Sequence, residues 1–489
     1  MTVLTTDFMH VKSKVVTNTP TNGGPMGTTA VQSGGKNNIF PRVTQDERIS
    51  GIPGRWRKTF FHNRNLSGDS AYGFLFYLET PSSSGDRIFI GLGTGADTQS
   101  LWSISDEYPH WTGTGRLDAN IIAGVASVSL QMESNDFEFI PGGTLFITDR
   151  FMESQTLATS PPASVPIIGD SVEHVGGIWV KRTFTTNTTY PFGWYYGGNV
   201  VFTNNSSNIE YPKIFEDKTE DESIGTGDGS PTPSVSNFGN VTNGLNFKGT
   251  YVDGRASGWL PMKPRLDITV SATPTTLWFD FDGNLVGATA GKINMATGAW
   301  ITPPTFIGSP DSGTPITATY WDKPYSWVGN VVTVQLADTI AENYTALNTY
   351  AGGCVEMNEI VPIQRSWVET SVSGTFDETT YPPVVNNVGT VYDTWTLTFT
   401  SGTVFTCSGL ISGNVGTGST SANFSPSNPV FGQPFFTIPL LGWGGTWTAG
   451  DIVVFVTEPS SIPILWKEVI PAATPAVTTS IAPYGAYWE

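Results

Sequence analysis

The sequence predicts an all-β protein: several antiparallel β-sandwich or Ig-like domains with long loops, an extended N-terminal arm and at most one or two short helices. Three observations lead there. Apolar and aromatic residues alternate with period two through short runs along most of the chain. Gly, Pro, Asn and Asp separate those runs at the positions tight turns require. The three-to-four residue apolar spacing of an amphipathic helix is found at one place.

Residues 1–50 contain TNTPTNGGPMGTTAVQSGGKNN, which is polar and lacks periodicity. This composition suits an extended arm that orders against a neighbour, or a disordered tail. A β domain is expected over 51–155, from the aromatic-rich Arg57–Phe61 and Tyr72–Leu78, the alternating Arg87–Leu92, then Asn120–Leu130 and Thr144–Thr148. Three prolines in QTLATSPPASVPIIGDSVEHV mark a linker into an inserted or expanded β-rich region, 156–325. That region begins with Ile178–Thr185, Gly193–Tyr196 and Asn199–Thr203. Its acidic run Glu216–Asp228 reads as an exposed loop. Asp282-Gly283 after Leu277–Phe281, and Thr297-Gly298 after Lys292–Met295, are hairpin turns. Residues 326–366 form a strand–helix connector, with Leu336, Ile340, Tyr344 and Leu347 at helical spacing behind Asp338. A C-terminal β-sandwich occupies 367–489, where Trp395, Leu397 and Phe399 alternate with Thr.

Composition narrows the function. At 489 residues the chain is too long for one ordinary core, and about three domains are expected. It carries 24 Lys+Arg against 42 Asp+Glu, a formal charge of −18, and only 13% of its residues are charged, where roughly a quarter is usual. With 12% aromatic residues it is not the low-hydrophobicity, high-charge type of disordered chain. The negative charge argues against direct contact with nucleic acid. No apolar stretch approaches a membrane span, and the first twenty residues lack the apolar core of a signal peptide, so neither a membrane nor export is expected.

Motif after motif fails its own chemistry. His10, His62, His110 and His174 are scattered without metal-ligand spacing. Ile167–Val172 (IIGDSV) imitates the Gly-Asp-Ser block of lipid and ester hydrolases, but no helix is expected after Ser171 and no histidine follows His174. Gly287–Lys292 (GATAGK) is one residue short of a phosphate-binding loop, and Ile293 stands where Ser or Thr is needed. Asp280, Asp282 and Asn284 alternate like calcium ligands, but the glycine falls at position four and residue twelve is Gly291, so a hairpin turn is the better account. As a carboxylate pair for glycoside cleavage, Asp280 and Asp282 lack supporting spacing. Cys354 and Cys407 are too far apart for a metal knuckle; an intramolecular bridge, an intermolecular bridge and two buried thiols all stay open, with buried thiols the default. No catalytic residue, metal or cofactor is assigned.

One basic patch stands out: Arg55, Trp56, Arg57 and Lys58. It could seat on an acidic partner, since Trp and Arg anchor interfaces. The alternative is a strand with Trp56 or Phe60 inward and the cations out.

The blocks TNTPTNGG, GGKNNIFPRV with DERISG, and GRWRKTFF resemble the N-terminus of a large virion structural protein family of tailed bacteriophages. RLDANIIAGVASVSLQMES and GGTLFITDR are similar to its next block. The stretch from FDETTYPPVVNNVGTVYDTWTLTFTSG through GWGGTWTAGDIVVFVTEP to IPILWKEVIPA is similar to its C-terminal part. The resemblance is strongest over residues 9–150 and 325–475, and the middle departs from it. It implies a non-enzymatic building block at the neck or collar, with tail or baseplate as the alternative position. Its implied partners are other virion proteins (head–tail connector, portal or tail proteins) and copies of itself in a ring of six- or twelve-fold symmetry. From a different class, a β-sandwich carbohydrate module that binds a host receptor is the competing reading, invited by 16 Trp and 16 Tyr.

Overall fold

The computed structural model describes residues 3–31, 38–82, 85–102, 110–149, 209–247, 262–346, 349–474 and 484–488, together with the backbone of four short strands between 170 and 200. Strand after antiparallel strand confirms the all-β class, and the α-helices among the described residues are the short Gln45–Ser50 and Gln99–Trp102.

The strand Ala71–Leu78 (AYGFLFYL) shows how the aromatic content organises the layers. A half-buried strand needs one apolar face, but this one is apolar on both, and residues 74–78 are all buried. Phe74, Phe76 and Leu78 point into one core with Phe8, Phe61, Ile90, Ile462, Ile464 and Trp466. Leu75 and Tyr77 point the other way, against Phe146 and Cys354. Full burial of each such ring contributes about 1.5–3 kcal/mol.

Two sheets enclose the first core. One has the order Gly23–Ala30, Phe8–Val15, Ile52–Asn63, Ser461–Ile470, Arg87–Leu92; the other has Val355–Ile360, Ala71–Leu78, Tyr484–Tyr487. A seven-stranded sheet covers a second core built on Leu130, Leu145, Ile147, Val332, Val334 and Tyr344. Strand Arg87–Leu92 serves both, giving Ile90 and Leu92 to the first core and Phe89 to the second.

Among the described residues, two self-contained units are inserted into this body. In the first, the sheet runs Asp217–Thr226, Pro315–Asp322, Arg265–Val270, Thr273–Phe279, Leu285–Val286, around Leu266, Phe279, Ile316 and Tyr320. In the second it runs Ile363–Thr370, Ile452–Glu458, Asp393–Phe399, Val404–Gly409, Gly413–Ser419, around Trp395, Leu397, Phe399 and Phe455. Each insertion closes on itself: Asp217 pairs with Asp322, and Ile363 with Glu458.

Several expectations are corrected. The described part of residues 1–50 is not an extended arm. Phe8–Val15 pairs in register with Ile52–Asn63, and Gly23–Ala30 adds a further strand. Helix Gln45–Ser50 starts at a capping box, in which Thr44 Oγ1 accepts from Glu47 N (3.2 Å) and Glu47 Oε2 accepts from Thr44 N (2.7 Å). Conversely, residues 336–346 are not helical. Leu336, Ile340 and Tyr344 are buried because their backbone N–H groups donate to Ala126, Val125 and Ile121, so an irregular extended segment buries the residues a helix stripe would have buried; Leu347 lies outside the described residues. Residues 326–366 are therefore largely strands of the body, not a connector. The acidic run is an edge strand, Asp217–Thr226, rather than a loop: Ile224 anchors it in the core and Tyr320 donates from its hydroxyl to Glu222 (2.8 Å). The C-terminal sandwich ends at Glu458, after which the chain returns to the body. The expected strand Gly193–Tyr196 lies outside the described residues.

Candidate functional site

Strand Ile52–Asn63 is central in its sheet, paired with Phe8–Val15 on one side and Ser461–Ile470 on the other. Its basic run is therefore buried: Arg55 is 7%, Arg57 6% and Lys58 1% exposed. Trp56 is partly buried beside Leu465 and Trp111. A buried cation is tolerated only when paired, and each has partners within its own chain. Arg55 donates from Nε to Glu468 (2.7 Å), its direct cross-strand neighbour. Arg57 donates to the Thr17 carbonyl (2.9 Å) and to Asn18 Oδ1 (2.7 Å). Lys58 donates to the Gly24 carbonyl (2.9 Å) and forms an ion pair with Asp97. Both guanidinium groups lie 6.0 Å from the Phe40 ring centre. Burial pulls the Lys58 ammonium below its ordinary value, and Asp97 opposes that pull. Burial pushes the Glu468 carboxyl up, against Arg55.

The run forms the expected strand with Phe60 inward, but its cations are buried rather than turned outward and are paired within the chain. They clamp residues 17–18, 24 and 40 onto the central strand. Sequence reasoning missed this because the sign of a residue does not reveal that its strand is flanked on both sides.

A recess with candidate chemistry lies where the sheets of the body meet. Its lining includes His110, Thr112, Glu138, Thr144, Cys354 and Glu356, and it accommodates water-sized occupants. Glu356 accepts from Thr144 Oγ1 (2.8 Å) and Lys213 Nζ (3.0 Å), and Lys213 also donates to Thr144 (2.6 Å). Glu138 accepts from the Trp111 N–H (3.2 Å). Burial, reinforced by Glu356, pushes the Cys354 thiol well above its ordinary value, so it stays neutral, whereas a nucleophile or metal ligand must be a thiolate. Cys407 is pushed up to about 12 by burial and the nearby Asp393. The two thiols are buried, unbridged and in different cores.

The remaining motifs resolve into structure. His10 stacks on Phe61 at 4.2 Å and meets the Tyr484 hydroxyl at 3.0 Å. His62 Nε2 meets the Asn387 carbonyl at 2.7 Å, joining the body to the second insertion. The His174 and Ser171 side chains lie outside the described residues, and the backbone of Asp170–Val175 is a strand. Asp280 accepts from the Asp282 and Asn284 N–H groups and from Asn284 Nδ2 (2.8–3.0 Å), with Gly283 at φ 77°: a side-chain-capped hairpin turn. Gly287–Lys292 enters the hairpin Ala288–Ile293 with Trp300–Phe306. Among the described residues no group of three His, Cys, Asp or Glu is placed to hold a metal ion. In comparisons with known proteins, the chain matches no family model, no curated protein and no solved structure.

Proposed function

We propose that this chain is a non-enzymatic structural component of a tailed bacteriophage virion, a neck or collar protein that forms or decorates a ring at the head–tail junction. The observation that carries the reading is the order of the sequence blocks, taken with how the chain uses them. The two stretches of resemblance, 9–150 and 325–475, supply neighbouring strands of one sheet, Ile52–Asn63 beside Ser461–Ile470. The departing middle contains an insertion whose ends pair with each other. A common body carrying a separable module accounts for both. Its partners on this reading are other virion proteins and further copies of the chain. Position at the tail or baseplate is the alternative within the same class.

A glycan-binding module needs aromatic faces gathered on one surface. In the second insertion the exposed large apolar side chains are aliphatic: Val368, Val372, Val384, Leu410, Val430, Leu440 and Leu441. Aliphatic side chains present no ring face on which a sugar could stack. The test is mass spectrometry of purified particles followed by immunogold labelling. Label at the head–tail junction is expected. Absence of the chain from intact particles would overturn the proposal.

A further inference from the structure

The second insertion has an electrostatic property that the rest of the chain lacks. Between Asp393 and Asp451 the sequence contains no Asp, Glu, Lys, Arg or His, in a protein of formal charge −18. The two flanking aspartates are themselves buried and occupied. Asp393 accepts from the Ile411 and Ser412 N–H groups (2.9 and 2.8 Å), and Asp451 accepts from the Thr448 N–H (2.8 Å). Everything this stretch presents to its surroundings is uncharged.

The same stretch holds an open sheet edge. Strand Gly413–Ser419 (GNVGTGS) ends the five-stranded sheet and pairs along one side with Val404–Gly409. Gly413, Asn414 and Thr417 are exposed, and Leu410, in the turn that leads into the strand, is 83% exposed. Edges are normally guarded by charge, proline or irregular pairing. The opposite edge of this sheet, Ile363–Thr370, carries Arg365 and Glu369. The outer strand of the first insertion, Asp217–Thr226, carries Asp217, Lys218, Glu220 and Asp221. Gly413–Ser419 has neither charge nor proline; its one irregularity is a bulge at Val415, where Gly416 donates its N–H to Asn414 Oδ1 (2.8 Å). Residues 416–419, in regular register with Val404–Cys407, are Gly, Thr, Gly and Ser, small side chains that leave the backbone easy to approach.

We propose that Gly413–Ser419 is a self-association edge, where it pairs antiparallel with the same strand of a second copy of this chain. Charge selects the occupant. Two molecules of charge −18 repel, and the contact that buries no like charges is one made through an uncharged surface. A basic partner would gain nothing here and would be drawn to the acidic edge instead. Antiparallel pairing of a strand with itself is isologous, joins two sheets into one and satisfies the outward N–H and C=O groups of both copies. The proposal rests on the assembly reading above for the relevance of copies to one another, and as a two-fold contact it joins copies in pairs rather than closing a ring.

The experiment is sedimentation of the purified full chain over a range of concentrations, comparing wild type with Thr417→Lys and Val368→Lys. Both sites are exposed, so near-ultraviolet circular dichroism should match wild type in each. Reversible self-association is expected for wild type and for Val368→Lys. Thr417→Lys brings like charges together at the pairing and should weaken association by roughly tenfold or more. A wild type that stays monomeric, or association that Thr417→Lys leaves unchanged, overturns the edge. Neither outcome touches the virion assignment, which particle mass spectrometry reads separately. Loss of binding to a different virion protein in Thr417→Lys, with self-association intact, would place that protein on the edge and overturn the second-copy proposal.

Discussion

Lys58 and Asp97 are an ion pair with side chains 0% and 2% exposed, set between the N-terminal segment and the central strand. Breaking such a pair from one side leaves an uncompensated buried charge. Asp97→Ala should therefore lower stability by about 3–5 kcal/mol in chemical denaturation; a loss below about 1 kcal/mol would mean that Lys58 finds water or another partner. Glu133 offers a pH test. Burial pushes its carboxyl up to about 7, with Arg87 opposing the shift and Asp86 adding to it. Because the folded-state value exceeds the ordinary 4.5, the native state binds this proton more tightly than the unfolded chain. Its stabilising contribution is present below pH 4.5 and is lost as pH rises through 7. Solvent screens its partly exposed side, so Glu133→Gln should be more stable than wild type by about 1 kcal/mol at pH 8 and equal to it at pH 4. Equal stability at both values would show that the carboxylate is well solvated.

At the scale of elements, the sequence was most legible where one face of a strand meets a core. Asp393–Phe399 alternates strictly between buried and partly exposed residues, matching its Trp/Leu/Phe and Thr alternation. Gly23–Ala30 (GGPMGTTA) was invisible because its contribution is backbone pairing, and Gly, Pro and Thr write no apolar pattern. The helix expected after Asp338 failed because helical spacing is a statement about burial, and an irregular segment zipped to residues 121–126 buries the same positions. The capping box that does start a helix, Thr44 with Glu47, went unread because it heads only six helical residues in a segment without apolar periodicity. The basic run could be recognised as unusual, but its inward orientation depends on a strand four hundred residues away in sequence, Ser461–Ile470. One close contact between elements is also non-local. A Cβ on Gly374 would fall 2.3 Å from the Trp447 ring, which stacks on Phe399 at 4.3 Å. Gly374→Ala should thus cost about 1–3 kcal/mol and alter the near-ultraviolet tryptophan signal, as overpacking does. An unchanged signal and melting temperature would mean that the short pair Ser373–Phe376 with Trp443–Thr446 slides without consequence.

Among the described residues the body is interrupted by two self-contained units, and stability should divide along those interruptions. Residues 363–458 have their own core around Trp395, Leu397, Phe399 and Phe455, and their ends pair as Ile363 with Glu458. Ends that already meet cost little loop entropy to hold together, and the size is ordinary for a sandwich. Expressed alone, this segment should show a single cooperative thermal transition and a native-like aromatic circular dichroism spectrum. The links it gives up include His62 with the Asn387 carbonyl and with the Phe431 ring, Arg64 over that ring, and Asn387 Nδ2 donating to the Asp69 carbonyl (2.9 Å). The body cannot be cut in the corresponding place. Strand Ser461–Ile470 lies between Ile52–Asn63 and Arg87–Leu92, carries Glu468 for Arg55, and brings Ile462, Ile464 and Trp466 to the first core. Its removal opens two ladders at once and leaves Arg55 buried without its carboxylate. Truncation after Glu458 should therefore leave the two insertions folded while the body loses cooperative structure, read as loss of hydrogen-exchange protection across residues 52–63 and 87–92 with protection retained in 393–409. Uniform loss across all three segments would show that the insertions depend on the body, and retained protection at 52–63 would show that the returning strand is dispensable.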